Sequence, residues 1–326
     1  MTSAISVSNL TKRFGEFIAV DQISFDVSVG EVFGFLGPNG AGKTTTTRML
    51  TGISTPSGGS AQIMDHEIHS FTAKERMGVV TDLSNVYNDL SAWDNLIFTA
   101  KLYGLSKSER EEKAEELLDT FGLLEVRDDN VREFSGGMKR RLTIAMALIN
   151  EADVLFLDEP TTALDVQSVR TIRELIRDLN EAGKTIFLTT HNMAEANELC
   201  SRIAIINQGR IGTIGTPEEL KQAMEKMHSI EIAFDQSRDS LRDDLQAIGC
   251  IREVEKRGDK FRLFTYDPPA TLAEVFSLAE SQGMKLLTVN TLGPTLEDVF
   301  LELTGEQIVH RGKAQMGRKK KRGGRR

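Results

Sequence analysis

Only two cysteines occur in 326 residues, Cys200 and Cys250, fifty positions apart and without paired spacing. That excludes a disulfide framework and a cysteine zinc site, and a reducing compartment is the expected setting. No apolar run approaches the roughly 20 residues that a bilayer-spanning helix needs. The opening segment, MTSAISVSNLTKRFG, also lacks a signal-type apolar core. The expectation is a soluble, cytoplasmic chain.

Positive charge is scarce as well, with 40 Lys and Arg against 48 Asp and Glu. Nine of the 40 lie in the last sixteen residues, RGKAQMGRKKKRGGRR, which leaves 31 basic against 48 acidic residues, a charge of −17, for the rest. An acidic body argues against general nucleic-acid binding, while the tail, expected to be disordered over 309–326, offers a contact for anionic lipid or RNA.

The hydrophobic fraction, 40%, is enough for a full core, and the length fits one large and one small domain. Residues 5–35 read as short strands with turns, and EVFGFL (31–36) feeds straight into a glycine-rich loop. From about 90 to 150 the pattern is helical; KSEREEKAEELLDTFGLL spaces its apolar residues along one face. VLFLDEP (154–160) and TIFLTTH (185–191) are apolar runs that end in polar chemistry, as parallel strands of an α/β sheet do, with ligands gathered beyond their carboxyl ends. After about residue 220 the order becomes β-α-β-β-α-β, the split βαβ arrangement, followed by a helix in TLEDVFLELTG. The expected division is 1–220 for a large α/β domain, 221–308 for a small α+β domain and 309–326 for the tail.

The chemistry concentrates in a few places. GPNGAGKTT (37–45) satisfies G-x-x-x-x-G-K-[ST] between a strand and a helix. Its glycines let backbone N–H groups converge on phosphates, Lys43 adds a point charge, and the Thr44 hydroxyl is suited to Mg²⁺. In VLFLDEP, Asp158 and Glu159 fit a metal-holding carboxylate and a water-polarising one; taken alone, Asp-Glu at a strand end is equally a turn. His191 ends the next apolar run, within reach of a γ-phosphate. His66 and His69 miss the H-E-x-x-H spacing. EFSGGMKRR (133–141) reads as a second helix start suited to anions, with Ser135 as cap, Gly136 and Gly137 open, and three basic residues following. SGG by itself is commonly a helix start without a ligand.

Together and in this order, these motifs resemble the nucleotide-binding subunits of ABC transporters over about residues 5–220. GPNGAGKTT looks like Walker A, FSGGM the signature, VLFLDEP Walker B, ALD (163–165) the D-loop and TTH the H-loop. The ending GPTLEDVFLELTG is similar to the C-terminal domain of ATPase subunits that serve ABC-2 exporters of the daunorubicin-resistance type. The resemblance implies a P-loop α/β fold with antiparallel β and helical subdomains, and ATP with Mg²⁺ as cofactors. It assigns Gly37, Pro38, Asn39, Gly40, Ala41, Gly42, Lys43, Thr44 and Thr45 to the phosphates, and Phe14 to stacking on adenine. Thr44 and Asp158 fall to the metal, with Lys43, Glu159 and His191 catalytic. Ser135, Gly136, Gly137 and Asp165 would complete the nucleotide site of a second copy, in a homodimer closed by ATP. A separately encoded membrane permease of ABC-2 type is the implied partner, on the inner face of the cell membrane. Three departures matter: Phe134 and Met138 stand in the signature where many members have leucine and glutamine, Thr162 precedes ALD where serine is common, and the third is more serious. The Q-loop glutamine aligns with Asp82, whose shorter carboxylate adds charge beside the γ-phosphate and is expected to retain a metal contact. The main rival is a soluble ABC ATPase acting on ribosomes or nucleic acid, which the tail alone keeps open.

Overall fold

The computed structural model describes residues 3–81, 86–222, 228–236, 238, 240–293 and 295–304. Asp82 and the basic tail lie outside these described residues.

At the centre is a six-stranded sheet in the order Arg210–Gly215, Arg202–Asn207, Val32–Leu36, Thr185–Thr190, Val154–Asp158, Met77–Val80. Neighbours are parallel except Arg210–Gly215, which pairs antiparallel with Arg202–Asn207. Val32–Leu36, Val154–Asp158 and Thr185–Thr190 are buried at every position, and so read as unbroken apolar runs rather than alternating ones. Because the strands run in parallel register, with Leu36 opposite Thr190 and Asp158 opposite Thr189, the residues that follow them emerge at one edge of the sheet.

A second, antiparallel sheet of Phe17–Ser28, Ser3–Phe14, Gly58–Ile63 and His66–Glu67 shares a core with the glycine-rich loop. Phe25 stacks on Phe33 at 5.4 Å between ring centroids, and Phe33 stacks on Phe187 at 6.0 Å. Residues 5–35 were expected to form short strands with turns; two of the strands instead run for 12 residues each. The polar breaks that resemble turns are irregularities within one ladder: Asn9 and Gln22 take positive φ values of 49° and 50°, and the register shifts between Val7 and Leu10.

Helices cover the other face of the central sheet. Ala92–Leu102, Lys107–Thr120, Gly136–Leu148, Val166–Glu181 and Met193–Leu199 contribute to one continuous core with Leu155, Leu157, Ile186 and Leu188. Lys107–Thr120 starts at a complete capping box between Ser106 and Glu109, and it buries only Ala114 and Leu118.

The C-terminal unit has the expected split βαβ order. Its strands lie in the spatial order Ile251–Arg257, Lys260–Thr265, His228–Phe234, Leu286–Leu292, each antiparallel to its neighbour. Helices Leu241–Gln246 and Pro268–Ser281 close a separate core around Ile230, Ile232, Leu263 and Val275. The last helix, Leu296–Thr304, does not join that core. Leu296, Val299 and Phe300 pack instead with Leu199 and Leu220 in the core of the first unit. Buried Arg262 of the C-terminal sheet reaches the same helix, donating to Asp298 Oδ2 at 3.0 Å and to Ser229 Oγ at 3.0 Å.

Candidate functional site

The loop after Val32–Leu36 is wrapped so tightly that side chains are excluded. A Cβ on Gly37 would lie 2.5 Å from the Ile206 carbonyl oxygen, and one on Gly42 would lie 2.7 Å from that of Ala19. Gly42 also takes φ 110°, a left-handed value suited to glycine, and serves as N-cap of helix Lys43–Leu50. Among the described residues no side chain caps that helix, which leaves its first N–H groups suited to a ligand. Pro38 and Ala41 close the turn through Ala41 N–H to Pro38 O at 3.2 Å, and Gly209 N–H donates to Ala41 O at 2.9 Å.

Lys43 lies at the base of this loop, buried, with Nζ donating to Gly37 O at 2.8 Å and Pro38 O at 3.2 Å. Burial pushes its pKa below the ordinary lysine value, against the opposing pull of Glu159 and Asp158. Around it opens a cleft of about 490 Å³ lined by Asn39, Gly40, Gly42, Thr44, Thr45, Glu159, Thr162 and His191. Phe14 and Phe17, both exposed at the tip of the first hairpin, form its far wall.

Glu159 sits where the ends of two strands meet. Its Oε1 is 3.4 Å from Lys43 Nζ, while Oε2 accepts from Thr162 Oγ1 at 2.9 Å and lies 2.6 Å from His191 Nδ1. A carboxylate only accepts, so this contact places the ring proton on Nδ1. The backbone of Glu159 is held at φ 52°, unusual for a side chain with a Cβ, and is fixed by its N–H to Thr189 O at 3.0 Å. Asp158 is buried at the strand end and accepts a hydrogen bond from Thr189 Oγ1.

The second anion-suited helix start also forms. Ser135 caps Gly136–Leu148, accepting from Met138 N–H at 3.2 Å. Ser135 and Gly136 are exposed, whereas Gly137 is wedged so that a Cβ would meet Ser168 Oγ at 2.2 Å. Ser168 in turn donates through Oγ to Asp165 at 2.6 Å, and Asp165 caps helix Val166–Glu181. The Ser168 hydrogen bonds hold the Asp165 carboxyl below its ordinary pKa. Thus the structure brings together Phe14, the glycine loop, Lys43, Thr44, Glu159 and His191, and it groups Ser135, Gly136, Gly137 and Asp165 elsewhere. None of that second group lines the cleft around Lys43.

Comparison with known proteins matches the chain to the ABC transporter family over residues 20–162 and to the ATP-binding protein DrrA1-3-like C-terminal domain over 215–304. It is 40% identical over 311 residues to Nod factor export ATP-binding protein I of Cupriavidus metallidurans, covering 94% of this chain and 99% of that relative. The namesake from Ralstonia nicotianae is 40% identical over 314 residues, 94% of this chain and 95% of the relative. The chain belongs to the ABC transporter ATP-binding proteins.

Solved members of the same ABC family share its fold. The ABC protein cbiO1 of Clostridium perfringens, part of an ABC transporter complex, superposes with a TM-score of 0.63 at 27% identity, covering 69% of this chain and 93% of that one. A dimeric ATP-binding cassette in a post-hydrolysis state, bound to ADP and Pi, gives 0.59 at 26% identity, over 65% and 98% respectively. As an ABC ATPase the chain binds ATP with Mg²⁺ and hydrolyses it. The residues present fit both. The cleft over the start of helix Lys43–Leu50, with the Lys43 ammonium at its base, suits a triphosphate. Among the described residues no cluster of three or more His, Cys, Asp or Glu forms a closed cation cage. Mg²⁺ held by one carboxylate, one hydroxyl and substrate phosphates needs no such cage.

Sequence reading passed over Phe17 and gave Thr162 no role. Phe17 mirrors Phe14 across the hairpin, a pairing visible only once the register is known. Thr162 is noticeable in sequence only as a departure from serine, yet its hydroxyl fixes Glu159.

Proposed function

We propose that two copies of this chain close head to tail over two ATP molecules and drive export through a separate membrane permease. The observation that carries this reading is the separation just described: a phosphate cradle with Lys43 at its base, and a second, exposed helix start at Ser135 and Gly136 that lines no part of that cradle. A second copy would supply the missing wall. The curated relatives named as Nod factor export proteins support the direction of transport, and the match over 215–304 supports a permease of ABC-2 type.

In this scheme the loop N–H groups of residues 37–45 and the Lys43 ammonium bind the β- and γ-phosphates, and Phe14 with Phe17 covers the adenine. Thr44 and Asp158 would hold Mg²⁺, joined by Asp82, which lies outside the described residues. Mg²⁺, when bound, offsets phosphate charge as the γ-phosphoryl leaves. Glu159 polarises the attacking water and takes its proton; His191 holds that carboxylate by Nδ1–H and faces the γ-phosphate. Ser135, Gly136 and Gly137 present a helix N-terminus to the γ-phosphate on the partner, with Asp165 alongside. Loss of that phosphate removes the shared ligand and lets the dimer open. Attachment to the inner face of the membrane follows from the permease, and the tail at 311–326 adds attraction to anionic lipid.

Glu159→Gln tests the scheme, since it keeps an acceptor of the same size but has lost the base. In saturating Mg-ATP the variant should elute and scatter light as a dimer, and in ADP as a monomer. Monomer in both states would defeat it.

A further inference from the structure

Glu195 has no exposed surface, although it stands only four residues after His191, on helix Met193–Leu199. Its Oε1 accepts from Thr161 Oγ1 at 2.7 Å, and Thr161 lies two residues after Glu159. Arg173 of helix Val166–Glu181 stands near the same oxygen, with Nε 3.9 Å from Oε1. Arg173 is held in place by its ion pair with Glu198 at 2.6 Å. Among the described residues Glu195 Oε2 and Arg173 Nε have no hydrogen-bond partner, so the carboxyl is buried with only part of its hydrogen-bonding capacity used. Burial raises the Glu195 carboxyl above its ordinary pKa, with Thr161, Thr190 and Arg173 opposing and the Glu159 charge adding to the rise.

The position explains what such a residue does. Strand pairing fixes Asp158 against Thr189, but beyond that point the two chains diverge into turns. Across those turns the side-chain contacts among the described residues include His191 with Glu159 and Thr161 with Glu195, alongside the Glu159 N–H donating to Thr189 Oγ1 at 3.3 Å. Without Thr161 and Glu195, the two turns would be joined near the His191–Glu159 contact only through the Glu159 N–H and Thr189. We propose that Glu195 is a positioning residue for ATP hydrolysis: through Thr161 it fixes the Glu159 turn against the His191 segment, and through Arg173 it ties both to the helix that Asp165 caps. This inference rests on the hydrolytic roles given above to Glu159 and His191.

The test uses the full chain, steady-state hydrolysis of Mg-ATP and four variants. Thr161→Val is nearly isosteric and removes only the donor. Its kcat should fall by about 10- to 100-fold, as for a small misplacement of reacting groups, with KM for ATP within about twofold. Thr161→Ser should restore kcat to within about threefold of wild type, because the donor returns. Glu195→Ala should fall into the same range as Thr161→Val. The double variant should be no slower than the slower single one, the mark of residues acting as one unit. Thr161→Val at the wild-type rate, a loss appearing mainly in KM, or additive losses would overturn the proposal. If Glu195→Ala does not fold, Thr161→Val and Thr161→Ser decide the matter. A wild-type chain unable to turn over Mg-ATP would defeat the hydrolytic reading itself, a result distinct from normal turnover by both wild type and Thr161→Val.

Discussion

His191 Nδ1 lies 2.6 Å from Glu159 Oε2, each residue just beyond the end of one of two neighbouring parallel strands. The contact holds the carboxylate from the side opposite Lys43, so Glu159 is fixed at both oxygens. Removing the imidazole leaves Oε2 held, among the described residues, by the Thr162 hydroxyl alone. His191→Ala should lower kcat by about 100-fold or more, within the range of a lost acid–base partner. ATP affinity, followed by titration calorimetry, should stay within about threefold, because the phosphate cradle is untouched.

Gly137 is the tightest point of the second helix start, with room for no side chain beside Ser168. Gly137→Ala should push helix Gly136–Leu148 away from Asp165 and misplace Ser135. Measured in the Glu159→Gln background, ATP-dependent dimers should disappear in light scattering, while each monomer still binds ATP. A dimer of undiminished stability would show that this helix start does not face nucleotide.

Glu195 gives stability a pH dependence whose sign is fixed. Its folded pKa is raised, so the folded chain holds the proton more tightly than the unfolded one. The stabilisation is complete below the ordinary value of 4.5 and is lost as pH rises through the raised one. Glu195→Gln cannot titrate. Denaturant unfolding across this window should therefore show wild type losing stability relative to the variant as pH rises; parallel curves would contradict the assignment.

The ion pair between Arg262 and Asp298 is buried on both sides. Arg262→Met strands a buried carboxylate beside Thr295 and should cost about 3–5 kcal/mol. Replacing both partners, as Arg262→Met with Asp298→Leu, should recover most of that loss. Thermal unfolding of the single and double variants checks both statements.

Much of this architecture was legible in the sequence because its signals are local. The glycine loop announces itself by residue type, and the unbroken runs at 154–158 and 185–190 show strands covered on both faces. The β-α-β-β-α-β order is likewise carried by periodicity and short turns. What stayed hidden depends on distant parts of the chain. Glu195 looks like an ordinary helix-surface glutamate until Thr161 and Arg173 fold around it. Asn9 and Gln22 look like turn residues until the ladder that absorbs them is known. The boundary expected near residue 220 reflects a change in element order, and that order does not reveal where Leu296–Thr304 packs.

That last helix rests against Met193–Leu199, the short helix that begins just after His191. A displacement of the histidine segment would therefore be felt at Leu199 and, through it, at Val299 and Phe300, because the catalytic edge and the distal unit share one body of packed apolar side chains.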